Sequence, residues 1–317
     1  MKYFTLVWIL VFGVGAMDVA MAKPLPVAKA ERVGMSSERL DRITAMTQKY
    51  VDEGKLAGVI TMVARDGKLV HFEAVGNKGA DDPRPLEKDD LFRIYSMTKP
   101  ITATAAMQLY EQGKFHMNDP VHKFIPEFKD LKVLNENGEQ VPVKNHMTMQ
   151  QLLSHTTGLS YGFDPINDPV DKLYVEAKLW EHENLDALMQ TVSKLPLKFE
   201  PGSAWHYSIA VDVTGAVIER ISGQSFDEYL EENIFDPLGM EDTFFQLPAE
   251  KKARFLPNHS WDPQKNKLVE MNPELLVQLG ASENSAMFNF DEVSLYSGGG
   301  GLVSTAMDYL KFAEMMR

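Results

Sequence analysis

The chain of 317 residues contains no cysteine. That excludes a disulfide framework, a thiol nucleophile and a lipid carried on an N-terminal cysteine. Positive charge is in deficit: 32 Lys and Arg stand against 45 Asp and Glu, a formal net charge of −13. A nucleic-acid-binding surface would be basic, so no nucleic-acid partner is expected. The eight histidines include no H-E-x-x-H or other paired-ligand spacing, and Glu181-His182-Glu183 would point its side chains to different faces of a helix; no metal site is expected.

Long apolar runs are missing as well, except at the start. Tyr3 to Gly15 is apolar for about 13 residues, short of the ~20 that a membrane span needs. With Lys2 before it and Ala20-Met21-Ala22 after it, the stretch reads as a signal peptide over 1–22, cleaved after Ala22. A periplasmic or secreted protein without a stable membrane span is the expectation; nothing bears on its oligomeric state.

What remains is long enough for one large or two interleaved domains with a substantial core. Residues 23–35, with Pro24 and Pro26, read as an extended leader. Ser36-Ser37-Glu38-Arg39 opens a helix with Leu40, Ile43, Met46 and Tyr50 at helical spacing and Gly54 as its stop. Leu56 to Ala64 and Leu69 to Val75 flank an Asp66-Gly67 turn, a hairpin signal. A helix laid on an antiparallel sheet follows economically. Asp81 to Asp90 is loop, and Ile101 to Tyr110 is small or apolar on nearly every side, predicting a helix buried all round and closed at Gln112-Gly113.

From Asp119 onward helical segments dominate: Met149 to Leu153, Leu173 to Leu195, Asp212 to Ile221 and Phe226 to Ile234. Almost nothing alternates as a strand should. The reading is an α/β core built from 36–114 and 291–317, interrupted by a mainly helical domain over 115–290.

Three places could carry chemistry. Ser96 and Lys99 lie one above the other on a helix that Pro100, tolerated only in the first turn, starts at about Ser96. An amine beside a serine oxygen at a helix mouth can activate a nucleophile and stabilise an oxyanion. Alone, S-x-x-K is common by chance. Gly158-Leu159-Ser160-Tyr161-Gly162 matches G-x-S-x-G, but that elbow needs a strand before it and a helix after it; here helix precedes and loop follows, so Ser160 is a decoy. His155 could serve Ser160 only if the elbow were real. Pro201-Gly202 followed by Trp205, His206 and Tyr207 could be a packed loop, yet a tyrosine near Ser96 and Lys99 could exchange the serine proton.

Taken together, Ser96-Met97-Thr98-Lys99, Leu152 to Leu159, Pro201-Gly202 leading to Tyr207-Ser208, and Gly298 to Gly301 followed by Leu302-Val303-Ser304-Thr305 resemble the serine β-lactamase and penicillin-binding-protein-like superfamily. The nearest branch is the class C β-lactamase-related serine hydrolases. The resemblance implies an α/β (α+β) fold, an antiparallel sheet flanked by helices with a large helical insertion. It also implies a covalent acyl-enzyme on Ser96, with Lys99 setting the proton balance and Tyr207 as general base and then acid. Ile209, Gly299 and Gly300 fall where it implies substrate contacts. No cofactor is implied, and the partner is a small-molecule ester, β-lactam or peptide.

Two departures follow. The lactamases and peptidases carry Tyr-x-Asn, whereas Ile209 stands at the third place, which favours an esterase over a β-lactamase or D-alanyl-D-alanine carboxypeptidase. The superfamily's Lys/His/Trp-x-Gly strand does not follow Thr305. The helix opened by Thr305-Ala306-Met307-Asp308 is still running at Met316, so the expectation is that C-terminal strands are missing and that the chain as given is unstable or inactive. A non-catalytic ligand-binding homologue stands as a second alternative. Tyr161, beside the decoy serine, is expected to matter little.

Overall fold

The structure is a computed structural model that describes residues 25–271 and 289–317. The signal sequence expected over 1–22 lies outside the described residues. Helix α1 (Ser37–Asp52) begins where Ser36 caps it, its side chain accepting the N–H of Arg39 at 3.3 Å. It ends before Gly54, whose φ of +66° suits the left-handed turn that follows. Strands β1 (Gly58–Arg65) and β2 (Lys68–Gly76) pair antiparallel through the Asp66-Gly67 turn, and α1 packs on this hairpin. Both turn residues have positive φ, 52° and 69°, the conformation that matches the twist of the flanking strands.

The chain then forms the short strand β3 (Phe92–Arg93), a 3-10 turn over Tyr95–Met97, and helix α2 (Thr98–Glu111). Pro100 sits third in α2, where its missing N–H costs no intrahelical bond. All-round burial is not what α2 shows. Ile101, Thr102, Ala105, Ala106 and Leu109 are buried, but Met107 and Tyr110 are 37% and 38% exposed. One side of α2 therefore faces outward, and the apolar Met107 and Tyr110 on that side had read as core.

The following stretch holds more strand than its sequence suggested. Strands β4 (Lys132–Leu134) and β5 (Gln140–Pro142) form a hairpin. Three-residue strands are too short to display alternation, although Asn137-Gly138 between them is a hairpin signal. Helices α3 (Met149–Leu153), α4 (Pro169–Glu176) and α5 (Leu185–Val192) come next. The helix expected over 173–195 is thus two, broken where Lys178 takes φ +49° and restarted by the cap of Asn184, which accepts the N–H of Ala187.

Helix α6 (Ala210–Ser222) is the most enclosed element: every residue from Ala210 to Ile218 is buried. It packs against α2, α3, α5 and α7 (Phe226–Leu230), which a π-helical turn over Glu231–Phe235 links to α8 (Asp236–Leu238). A second unforeseen hairpin joins β6 (His259–Asp262) to β7 (Lys267–Glu270). Finally β8 (Val303–Ser304) pairs antiparallel with β3, and Thr305 caps α9 (Ala306–Met315) by accepting the N–H of Asp308 at 3.1 Å. The β3–β8 pair brings the glycine run 298–301 beside the start of α2. Among the described residues no helix is long and apolar enough to cross a membrane.

One ion cluster lies under the loop that leads into β3. Lys78 Nζ donates to Asp90 Oδ1 and to Glu87 Oε2, each at 2.7 Å, and the Asp90 side chain has no exposed surface. Burial alone would lower the lysine's pKa, but the two carboxylates outweigh it and hold the ammonium above its ordinary value. Removing one buried partner strands the other charge, at about 3–5 kcal/mol. Asp90→Ala is therefore expected to lower unfolding stability by that order in urea titration, whereas Lys78→Met combined with Asp90→Leu recovers most of the loss. Equal instability of the single and double variants would show that the ion pair is not what the loop relies on.

Candidate active site

Three segments distant in sequence meet at Ser96. Tyr95, directly before it, has φ +45°, a left-handed conformation rare for a bulky residue, and the 3-10 turn it begins leaves Ser96 exposed at the mouth of α2. Such backbone strain persists only where the surroundings enforce it. Ser96 Oγ lies 2.5 Å from Tyr207 Oη. Lys99, one turn on, donates to Ser96 Oγ at 3.3 Å and to the Gly299 carbonyl at 2.6 Å. Its ammonium also sits 4.5 Å from the centre of the Tyr207 ring and 5.3 Å from that of Tyr161, within cation–π range. Ser96, Lys99 and Tyr207 are thus assembled as one cluster.

The remaining expected residues occupy different places. Ile209 is fully buried among core residues at the N-terminal end of α6, so it presents no surface to a ligand. Gly299 is buried too; its carbonyl holds Lys99, and its N–H donates to Asp212 Oδ1 at 3.0 Å. A Cβ there would come within 2.3 Å of both Asp212 and Tyr161, so only glycine fits. Gly300 is half-buried and lies against the Tyr95 backbone, at the edge of the site.

Several residues were not anticipated. Asp212 on α6 is fully buried and accepts from Ser297 Oγ at 2.5 Å and from Tyr161 Oη at 2.9 Å. Burial pushes its carboxyl up, while hydrogen bonds from Ser297 and Gly299 and the Lys99 charge oppose that rise. Burial and then Asp212 push the Tyr161 phenol far up, which keeps it a protonated donor. Tyr161 is therefore part of the site and not the bystander that its place beside Ser160 suggested. Its signal was hidden because G-x-S-x-G drew attention to the serine.

Ser160 is fully buried, its hydroxyl donating to Asp171 and accepting the Gly162 N–H at 3.1 Å, with His206 Nε2 at 3.3 Å. Lys198 bridges Asp168 and Asp171 at 2.7 and 2.9 Å. These contacts anchor the loop that presents Tyr161 and Phe163. A sealed serine already bound to a carboxylate has no path to a substrate.

His155 serves neither serine. Its Nδ1 accepts the Ser208 N–H at 3.3 Å and its ring lies 4.9 Å from that of Tyr207. Phe163, 69% exposed, also stacks on Tyr207 at 6.3 Å, with Trp205, 65% exposed, against His155 at 6.3 Å. The tyrosine ring is thereby clamped in an aromatic wall. Among the described residues no group of three or more His, Cys, Asp or Glu could hold a metal ion.

Burial first, then Lys99 and His206, bring the His155 pKa down to about 4. The folded value lies below the unfolded one of about 6.5, so the unfolded chain binds the extra proton. Its contribution to stability is complete above the unfolded value and is lost as pH falls toward the folded one. An imidazole titration followed by NMR is expected to keep His155 neutral down to about pH 4. A midpoint at the ordinary histidine value would refute the burial that the geometry shows.

Comparison with known proteins places these segments in a common frame. Esterase EstB of Burkholderia gladioli is 33% identical over 283 residues, covering 87% of this chain and 69% of its own. Protein Rv1367c of Mycobacterium tuberculosis is 32% identical over 282 residues, and the chain spans 66% of its length. The solved structure of EstCE1, described as a hydrolase with promiscuous acyltransferase activity, superposes with a TM-score of 0.74 at 26% identity, covering 88% of this chain and 72% of that one. The Beta-lactamase family profile matches residues 43–317, a span that includes Ser96, Lys99, Tyr207 and the glycine run. The chain belongs to the Beta-lactamase family, with that family's mixed α/β fold.

Proposed function

We propose that this protein is a serine hydrolase that cleaves carboxylic esters through an acyl intermediate on Ser96. The observation that carries the reading is the contact of Ser96 Oγ with Tyr207 Oη at 2.5 Å and with Lys99 Nζ at 3.3 Å. Family membership and likeness to proteins named as an esterase and a hydrolase support it. The Tyr207 phenolate, stabilised by the Lys99 ammonium over its ring, takes the Ser96 proton as Oγ attacks the ester carbonyl. The tetrahedral adduct collapses when Tyr207 returns that proton to the departing alkoxide. Water then gives its proton to Tyr207, attacks the acyl carbon, and Ser96 leaves as the reprotonated alcohol. The Ser96 N–H at the mouth of α2 is assigned to the developing oxyanion.

Likeness to a protein named as an esterase supports an ester over a β-lactam or peptide, since the buried Ile209 offers a substrate no contact either way. The segment 1–22 supports export to the periplasm or medium. Ser96→Ala is expected to abolish covalent labelling by a fluorophosphonate, and Tyr207→Phe to lower ester turnover by about 10²–10⁴ with the fold intact by circular dichroism. Labelling that survives Ser96→Ala would overturn the reading. Faster turnover of a chromogenic cephalosporin than of a short-chain nitrophenyl ester would turn it toward a β-lactamase.

A further inference from the structure

We propose that Asp212 is a positioning residue for Lys99, acting as a buried carboxylate that fixes where the lysine is held and biases the charge around it; this rests on the role given above to Ser96 and Lys99. Asp212 touches neither Ser96 nor Tyr207 by hydrogen bond. Its side chain instead gathers three donors from two other segments. Oδ1 accepts from Ser297 Oγ at 2.5 Å and from the Gly299 N–H at 3.0 Å, and Oδ2 accepts from Tyr161 Oη at 2.9 Å.

Two of the three donors lead back to the lysine. The peptide N–H of Gly299 belongs to the residue whose carbonyl receives Lys99 Nζ at 2.6 Å, so Asp212 sets the height at which that carbonyl faces α2. Tyr161 supplies the ring 5.3 Å from the same ammonium. A carboxylate fits this pocket better than a carboxylic acid, because every partner can donate and the Gly299 N–H can do nothing else. The glycine at 299 leaves the space the carboxylate needs, since a Cβ there would sit 2.3 Å from Asp212 Oδ2.

The charged and titratable groups facing this centre are Lys99 from α2, Tyr161 from the loop after α3, and His155 and Tyr207 beside it. His155 is neutral near pH 7 and Tyr161 stays protonated. A negative charge on Asp212 favours the protonated form of every neighbouring group. Removing that charge is therefore expected to carry the acid limb of the rate profile to lower pH.

The test is Asp212→Asn in the full chain, which keeps the size and loses the charge. The expected result is kcat lower by about ten- to a hundredfold, the order that a small misplacement of a catalytic group costs. KM should change little, and the acid limb of kcat/KM should move to lower pH. Tyr161→Phe and Ser297→Ala each remove one donor and should give smaller losses in kcat with the acid limb in place. They carry the test if Asp212→Asn does not fold. Wild-type kcat and acid limb in Asp212→Asn, or in both donor variants should Asp212→Asn fail to fold, would overturn the proposal. A fall in kcat with an unmoved limb would reduce Asp212 to a packing role and overturn it equally. Fluorophosphonate labelling of wild-type Ser96 separates the two readings: without it the hydrolase assignment fails, and with it only the role of Asp212 is at stake.

Discussion

The ammonium of Lys99 is the contact on which the site depends, because it joins parts of the chain that are otherwise held apart. It binds Ser96 in its own turn and Gly299 from the far end of the sequence, and it lies over rings from two further segments. Hydrogen bonds to a charged group contribute about 1.5–3 kcal/mol each, more than neutral ones. Two threonines reinforce the closure from the same helix. Thr98 Oγ1 accepts the Leu302 N–H at 3.2 Å, and Thr102 Oγ1 donates to the Gly298 carbonyl at 2.8 Å. One face of α2 thus grips the glycine run at positions 298 and 299 and Leu302 just after it, and the β3–β8 pairing fixes the direction of this segment. Because the lysine serves this closure and also faces the serine, stability and chemistry draw on one side chain.

A second polar centre does for the aromatic wall what Lys99 does for the glycine run. Lys198, Asp168, Asp171, Ser160 and His206 tie the loop after α3 to the segment before α6. Tyr161 and Phe163 leave this knot on one side, and Tyr207 follows His206 on the other. The rings consequently meet at 5.5 and 6.3 Å. Burying so many polar groups is costly unless they satisfy one another. Here a serine, a lysine and two aspartates do so, and the aromatic side chains that leave the knot inherit its rigidity.

How much of this could be read beforehand follows from the range of each signal. Local rules found the cap at Ser36, the Asp66-Gly67 turn, the start of α2 near Pro100 and the cap at Thr305, since all depend on a few neighbouring residues. The cluster of Ser96, Lys99 and Tyr207 was legible because the first two are a helical pair and the third belongs to a motif known from related chains. Asp212 and Ser297 were not. An aspartate in the first turn of a helix reads as a favourable dipole partner, and nothing local says that its partners lie 85 and 87 residues away. Ile209 misled in the opposite sense: its place beside Tyr207 suggested a pocket wall, but the first turn of α6 rotates it into the core. The short β4–β5 and β6–β7 hairpins escaped because pairing, not alternation, defines strands of that length.

The surroundings of Tyr207 narrow what its oxygen can do. A phenol activates a serine only if its own proton has somewhere to go and the resulting negative charge is stabilised. The rings that enclose Tyr207 supply no charge near neutral pH, since His155 is held neutral by burial and Tyr161 is held protonated by burial and then by Asp212. The cation over its face is Lys99, at 4.5 Å from the ring centre. Lys99 and Tyr207 are each half-buried, so the field of the ammonium on the phenolic oxygen is screened less than between fully solvated groups. The 2.5 Å contact between Ser96 and Tyr207 therefore has one cation beside it, Lys99, and Asp212 can reach that contact only through the groups that hold the lysine, the Gly299 backbone and the Tyr161 ring.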